Sequence, residues 1–358
     1  MNSKLKFTNL HHSSFFSTVR EKVDNYFQEK KISKQGNKAI WIKAFTFLFG
    51  HFLLYALIIS GVFQPIILLP LAVLLGVFSA FIGFNIGHDA MHGSFSASPK
   101  INKVFSYTFH LVGANPYIWN ISHNIVHHTY TNIAGHDEDI EVAPGLIRLS
   151  KEEKLNKFHR FQHLYAFPLY SLASLSWLFR KDYKKFFQPK IGQHKAKHPR
   201  IEYFNLFFYK LLYCFLFIGI PLLFTDLSWW QVLIGFFALH LSQGLVMGLV
   251  FQLAHLIEET DFPIPNEDGN IEDAWAEHQM KTTANFSSKS KLAAFLLGGL
   301  NRQIEHHLFP KISHIHYPAI STIIKDTANA YKLPYIENTT FLLALKSHYA
   351  VLKKFSVA

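Results

Sequence analysis

Only one cysteine, Cys214, occurs in the 358 residues, and it lies inside an apolar run. The chain therefore forms no internal disulfide and carries no paired-cysteine metal or redox motif. Charge is scarce as well. Asp, Glu, Lys and Arg make up 16% of the residues, where a soluble domain carries roughly 25%. That shortfall, beside 49% hydrophobic and 16% aromatic residues, points to lipid as part of the solvent. Carboxylates are fewer than cations, 24 against 35, and the net charge is +11. Such a balance suits nucleic acid only when a binding motif accompanies it, and none does. The cations crowd the stretch before Ala44, the long middle segment and the tail from Lys346, as juxtamembrane segments do against anionic lipid. Nucleic acid is excluded as a partner and membrane lipid is expected. The residues through Lys38 lack an apolar core followed by a small-residue cleavage site, so the first membrane helix is expected to act as the targeting signal.

What is present is apolar length. A bilayer core about 30 Å thick needs about 20 apolar residues in helix, and four runs meet that need: Ala44 to Phe63, Ile66 to Ile86, Phe204 to Phe224 and Trp230 to Phe251. Only Gln64 and Pro65 part the first two, and a short turn with Asp226 and interfacial Trp229 and Trp230 parts the last two. These are two hairpins. The basic middle and carboxyl segments, with the amino terminus, then lie in the cytoplasm by the positive-inside rule. Leu164 to Phe179 is aromatic but contains Pro168 and is flanked by Arg160, Arg180 and Lys181, so an interfacial helix is expected there instead of a fifth span. The expected organisation is a cytoplasmic segment over 1–39, a membrane unit over 40–345 with its cap over 87–203 and 252–345, and a tail over 346–358.

Histidine clusters mark the cytoplasmic side. His88 and His92 stand four apart directly after the second run, a spacing that puts two imidazoles on one helical face, able to grip one ion. His123, His127 and His128 repeat the pair and add a third ring turned aside, able to serve one ion and reach toward a neighbour. His306 and His307 form the third cluster. Each cluster alone has an ordinary reading as surface or core polarity. Together they fall on one predicted face, where seven unliganded imidazoles would repel when protonated and bury bare nitrogens when neutral. Imidazole suits zinc, copper, iron and nickel, and seven ligands exceed what one tetrahedral zinc uses, so two metals are expected. Two iron ions with dioxygen make an oxidant able to take hydrogen from an unactivated C–H bond, and adjacent lipid makes an acyl chain the expected substrate.

The three boxes on a hairpin, loop, hairpin plan resemble the membrane fatty acid desaturases. The likeness extends through GHDAMHGSFS from Gly87, HNIVHHTYTNIAGHDEDI from His123 and QIEHHLFPKISHIHYP from Gln303, and spans roughly Ala72 to Leu345. It implies an all-α integral membrane fold whose four helices carry a helical cap with a di-iron site. It also implies iron ligation by His88, His92, His123, His127, His128, His306 and His307. Family sites need eight or nine ligands, and His255, in QLAHLIEE at the cytoplasmic end of the fourth run, is the candidate for the eighth. The glutamine opening the third box is similar to the front-end subgroup, which desaturates between an existing double bond and the carboxyl end. Gln303 itself is open to two roles, a weak ligand or a partner of water on the metal, and the second is expected. Asp89, Asn132, Asp137 and Asp139 are candidates to take the imidazoles' outer N–H groups, with solvated loop charges as the alternative. His51 and His240, mid-span, are read as packing or tunnel groups, and His136, His314 and His316 as non-ligands.

Many front-end enzymes carry a fused cytochrome marked His-Pro-Gly-Gly, whereas this chain has His198-Pro199-Arg200. A separate donor, ferredoxin or a free cytochrome, is therefore expected, with the acyl chain arriving on coenzyme A or a phospholipid. The expected location is the bacterial inner membrane, with the endoplasmic reticulum as the alternative. Rival readings are a hydroxylase or related lipid oxidase on the same scaffold, a zinc intramembrane hydrolase, and a metal transporter. The hydrolase lacks its general base, because His88 to His92 holds no glutamate in an HExxH position. A transporter would carry its ligands at the bilayer midplane, not at one face.

Overall fold

A computed structural model describes residues 5–140, 143–150, 153–195 and 197–357. Four of its helices are long and apolar enough to cross a membrane: Lys38–Ile59, Pro65–His92, Arg200–Phe224 and Trp229–His255. Their starts follow from local chemistry. The Asn37 side chain accepts the Ala39 N–H at 2.8 Å, satisfying a donor the first turn leaves free. Pro65 occupies the first turn of the second helix, where its missing N–H costs nothing. Ser228 and Gln231 cap the fourth reciprocally.

These helices outrun the apolar runs that announce them. The second continues past Ile86 through a wide π turn, Gly83–Gly87, into His88–His92, so the first box rides on the spanning helix itself. The first begins at Lys38, because Lys43 is buried and bonded to the Ala294 carbonyl and His314 rather than held in water. Small residues set the crossing of the second and fourth helices. A Cβ at Gly76 would collide with the Leu239 carbonyl oxygen and with Ser242, whose hydroxyl donates to the Val73 carbonyl at 2.9 Å.

The stretch expected as one interfacial helix is broken in two, Gln162–Ser171 and Ala173–Ser176, followed by a π turn at Trp177–Lys181. It lies against the fourth span because Gly244 and Gly248 there have no Cβ: one at Gly244 would strike the Ser171 backbone. Ala166, Tyr170 and Ser174 face inward, while Leu164, Leu172 and Phe179 stay exposed. Among the described residues it is not a candidate span.

The two ends of the chain belong to the cap. Helix Phe15–Lys30 buries Phe15, Val19, Val23 and Phe27, one face at a four-residue spacing, against Tyr317–Ala330. The residues expected as a tail from Lys346 instead continue helix Phe341–Phe355, where Val351 and Leu352 are buried and the Leu352 carbonyl accepts from Gln162 at 2.8 Å. The apolar spacing within that segment outweighs its terminal lysines. Among the described residues strands occur only as two-residue pairings, such as Lys6–Phe7 parallel to Asn270–Ile271.

Candidate metal centre

Three wide or short helical pieces bring the boxes to the cap side of the spans. His88–His92 ends the second span, Asn120–His127 is a π-helical run, and Gln303–Leu308 is a short helix. His255 is the last residue of the fourth. The eight imidazoles converge in adjoining groups whose nitrogens lie within 4.8 Å of one another: His88, His92, His123 and His306 in one, His127, His255 and His307 in another, and His128 with His306 and His307 between them. All eight are buried.

This division corrects one expectation. His88 and His92 converge on one point, their rings 4.6 Å apart and inclined at 64°. His123 and His127 do not. Their rings stack 5.0 Å apart at 25°, so their nitrogens point side by side into different groups. The π-helical winding of Asn120–His127 carries the second box along its own axis from one group to the next.

Several of the outer nitrogens are held. His127 Nδ1 donates to Asp137 at 2.8 Å, and His255 Nδ1 to the Thr282 carbonyl at 3.3 Å. His307 Nδ1 donates to the Gln279 amide oxygen at 2.7 Å, and His306 Nδ1 lies 3.2 Å from the Tyr317 hydroxyl. His123 Nδ1 and His88 Nδ1 each stand 3.5 Å from a carboxylate, Asp139 and Asp89 respectively. Carboxylate and carbonyl oxygens accept only, so the proton sits on Nδ1 and the lone pair on Nε2. The Nε2 atoms of His92, His123, His127, His255 and His307, both ring nitrogens of His128 and the Nδ1 of His88 are buried without a hydrogen-bond partner among the described residues. Oriented, deprotonated nitrogens with anchored outer N–H groups are what a metal needs, and these residues fit a pair of ions. Burial holds His123 down to about 3. Burial and the neighbouring imidazoles hold His128, His306 and His307 well below the ordinary histidine value. Neutral rings at physiological pH follow.

Not every outer partner is the one the sequence suggests. The Asn132 side chain makes no hydrogen bond to an imidazole among the described residues. Its amide donates to the carbonyls of His255, Asp261 and Thr282 at 2.9, 3.1 and 3.3 Å, from a left-handed backbone (φ 59°) that asparagine tolerates. It stitches the end of the fourth span to the segment that holds His255. Asp89 divides itself between His88 and His314, whose Nδ1 lies 2.9 Å away, which turns His314 from the metal groups. Asp139 is shared with Lys185 at 2.8 Å and Lys181 at 3.3 Å. Gln279 and Tyr317 had no spacing signal, because each reaches its imidazole only through the fold.

Beside His88 and His123 opens a cavity of about 110 Å³, walled by Phe84, Phe109, Trp119, Trp177, Met247 and Phe251. Met247 lies eight residues up the fourth span from His255, about 12 Å at 1.5 Å per residue, so the cavity runs from the imidazoles toward the bilayer. Gln303 lines it too, its amide oxygen buried without a hydrogen-bond partner among the described residues. Mid-span His51 and His240 are hydrogen-bonded to Ser79 at 3.3 Å and Ser174 at 2.8 Å, away from the groups.

The fatty acid desaturase family model matches residues 64–339. The chain belongs to the fatty acid desaturase family. It is 36% identical over 349 residues to the sn-1 linoleoyl-lipid 6-desaturase of Synechocystis sp., covering 97% of this chain and 96% of that one. It is 35% identical over 353 residues to the acyl-lipid (8-3)-desaturase of Physcomitrium patens, covering 98% and 73%. The sn-1 linoleoyl-lipid 6-desaturase of Arthrospira platensis is 31% identical over 344 residues, covering 96% and 93%.

Family membership makes the chain a membrane oxidoreductase and sets aside the zinc hydrolase. For this desaturase the contact between His127 and Asp137 is the best-formed carboxylate partner in the site. Asp137→Asn keeps the shape but exchanges an acceptor for an amide that must flip to serve. Activity is expected to fall about 10- to 100-fold, with weaker retention of metal on dialysis. Turnover at wild-type level would show that His127 needs no charged partner.

Proposed function

We propose that this desaturase binds two iron ions and uses dioxygen to insert a cis double bond into an acyl chain carried on a membrane lipid. The observation that carries the reading is the pair of adjoining imidazole groups, with unpartnered nitrogens facing inward and the outer nitrogens of His127, His255, His306 and His307 anchored, beside an apolar cavity. One ion would take His88, His92, His123 and His306, the other His127, His255 and His307, with His128 between. Iron bound there supplies what no side chain can, activation of dioxygen for attack on an unactivated methylene. Two hydrogens leave neighbouring methylenes, two electrons and two protons enter, and two waters form from one dioxygen. The aromatic wall excludes water and holds one methylene pair beside His88 and His123, which fixes where the bond forms. Gln303, whose amide oxygen is buried without a hydrogen-bond partner among the described residues, would be placed to hydrogen-bond water beside the ions.

The names of the relatives support a lipid-bound substrate and a new bond on the carboxyl side of an existing one. The basic cap segments support a cytoplasmic site, and electrons come from a separate carrier. His198 supports no haem role, being tied to Tyr117 at 3.0 Å and to the Phe186 carbonyl at 2.8 Å. The test is expression in an iron-replete, donor-competent host that lacks polyunsaturated lipids, fed linoleate, with double bonds located by mass spectrometry. A new bond between the existing ones and the carboxyl end, found in lipid-bound chains and missing with His127→Ala, is the expected result. An unchanged lipid profile overturns the reading, and a hydroxylated product replaces it with the oxidase.

A further inference from the structure

The imidazole group formed by His88, His92, His123 and His306 has two sides. His88 and His123 border the apolar cavity. His92 does not. It lines a separate open hollow of about 470 Å³ at the protein surface, together with Gln35, Met91, Ser96, Lys103 and Lys311. His92 Nε2 is buried in the group, while the residue keeps 8% of its surface exposed and lines this hollow. Its ring lies 4.6 Å from that of His88 and 4.8 Å from that of His306. His92 is therefore the member of the group that also lines the surface hollow.

The hollow is built unlike a lipid site. Its wall mixes Ala90, Met91, Ala97 and Pro99 with Gln35, Ser96 and two lysines, and its rim is fixed by Asn102, which accepts the Ser96 N–H at 2.9 Å and donates to the Ser96 carbonyl at 2.8 Å. Its charge has one sign. Lys103 and Lys311 line it, exposed Lys100 stands beside them, no carboxylate is among the lining residues, and none of the three lysines has an ion-pair partner among the described residues. Unpaired cations around a hollow that a member of the imidazole group lines attract a partner of opposite sign. Electron tunnelling weakens steeply with distance, so a donor gains most by seating where a ligand comes nearest the surface.

We propose that this hollow is the docking surface of the electron donor, a small one-electron carrier protein with an acidic rim that seats against Lys100, Lys103 and Lys311 and delivers electrons through the edge of His92. The inference rests on the di-iron reading. Each encounter oxidises one carrier and passes one electron inward, and two encounters supply the two electrons of a turnover. Electrons enter on the side of the group opposite the acyl cavity, so the carrier docks without displacing the substrate.

The test uses the iron-loaded full-length enzyme in lipid discs under anaerobic conditions. It is mixed rapidly with a reduced plant-type [2Fe–2S] ferredoxin or, separately, a reduced acidic b-type cytochrome. Lys103→Glu with Lys311→Glu is expected to slow the second-order oxidation of at least one carrier about tenfold at low salt and to remove most of its salt dependence. Lys103→Gln with Lys311→Gln should give an intermediate rate, and Lys353→Glu with Lys354→Glu, on the far carboxyl-terminal helix, the wild-type rate. Iron content and reduction by dithionite should stay unchanged throughout. Wild-type rates in the charge-reversed enzyme with both carriers overturn the proposal. So does a wild-type enzyme that dithionite reduces but neither carrier does. An iron-loaded wild type that dithionite cannot reduce overturns the di-iron reading, and this inference with it.

Discussion

Replacing His255 by alanine should abolish desaturation and lower bound iron from about two ions to about one per chain. His255 stands outside the three boxes, at the last turn of a 27-residue helix. Its ring lies 4.8 Å from that of His127 and 4.9 Å from that of His307, with Nδ1 held on the Thr282 carbonyl and Nε2 buried without a hydrogen-bond partner among the described residues. Removing one of three grouped nitrogens leaves that group with two, too few to hold an ion against solvent, while the group around His88 keeps its four. A merely structural histidine behaves differently. His348 is equally buried and bonds Tyr170 at 2.9 Å and the Leu256 carbonyl at 2.7 Å. His348→Ala should therefore destabilise the protein while leaving its iron content at the wild-type value. Metal analysis of both purified variants decides the matter, and two retained irons in the His255 variant would remove it from the site.

Stripping the metal should cost the fold about 10 °C of melting temperature or more, and make what remains sensitive to acid. In the folded chain burial holds His123 down to about 3, and burial with neighbouring imidazoles holds His128, His306 and His307 well below the ordinary value. Unfolded, each titrates near about 6.5. The unfolded chain thus binds more protons anywhere between those limits. The stabilisation from keeping each ring neutral is complete above about pH 6.5 and is lost as pH falls from there toward the folded values, at up to about 1.4 kcal/mol per pH unit for each ring. Four rings moving together amount to several kcal/mol per unit. Chelated protein should melt at progressively lower temperature from about pH 6.5 to about pH 5, and the iron-loaded protein should lie above it throughout. A chelated sample whose melting temperature ignores pH over that window would show that the imidazoles are not buried neutral together.

Much of this was legible from local pattern. Apolar runs of spanning length marked the four membrane helices, and the spacing of His88 with His92 carried over directly because that segment winds as an ordinary helix. His255 was visible through position alone, at the same depth as the boxes. Where local pattern misled, a tertiary contact had outweighed it. Pro168 and the aromatic residues around it suggested one helix at the interface, but glycines on the fourth span draw that stretch inward and break it. Lys346 onward reads as a basic tail, yet Val351 and Leu352 bind it to the cap. Asn132 looked like a partner for an imidazole and instead holds three carbonyls from segments far along the chain.

The sequence by itself determined the four membrane helices and which imidazoles to look for, because span length and helical spacing are properties of neighbouring residues. Only the tertiary structure decided how the imidazoles are shared. Winding of the second box parts His123 from His127, and the third box sends His306 to the His88 group and His307 to the His255 group, both beside His128. Gln279, Tyr317 and the Thr282 carbonyl then orient the rings across separations of 28, 11 and 27 residues. Those pairings depend on where helices cross, and a crossing is set by packed surfaces that no single stretch of chain contains.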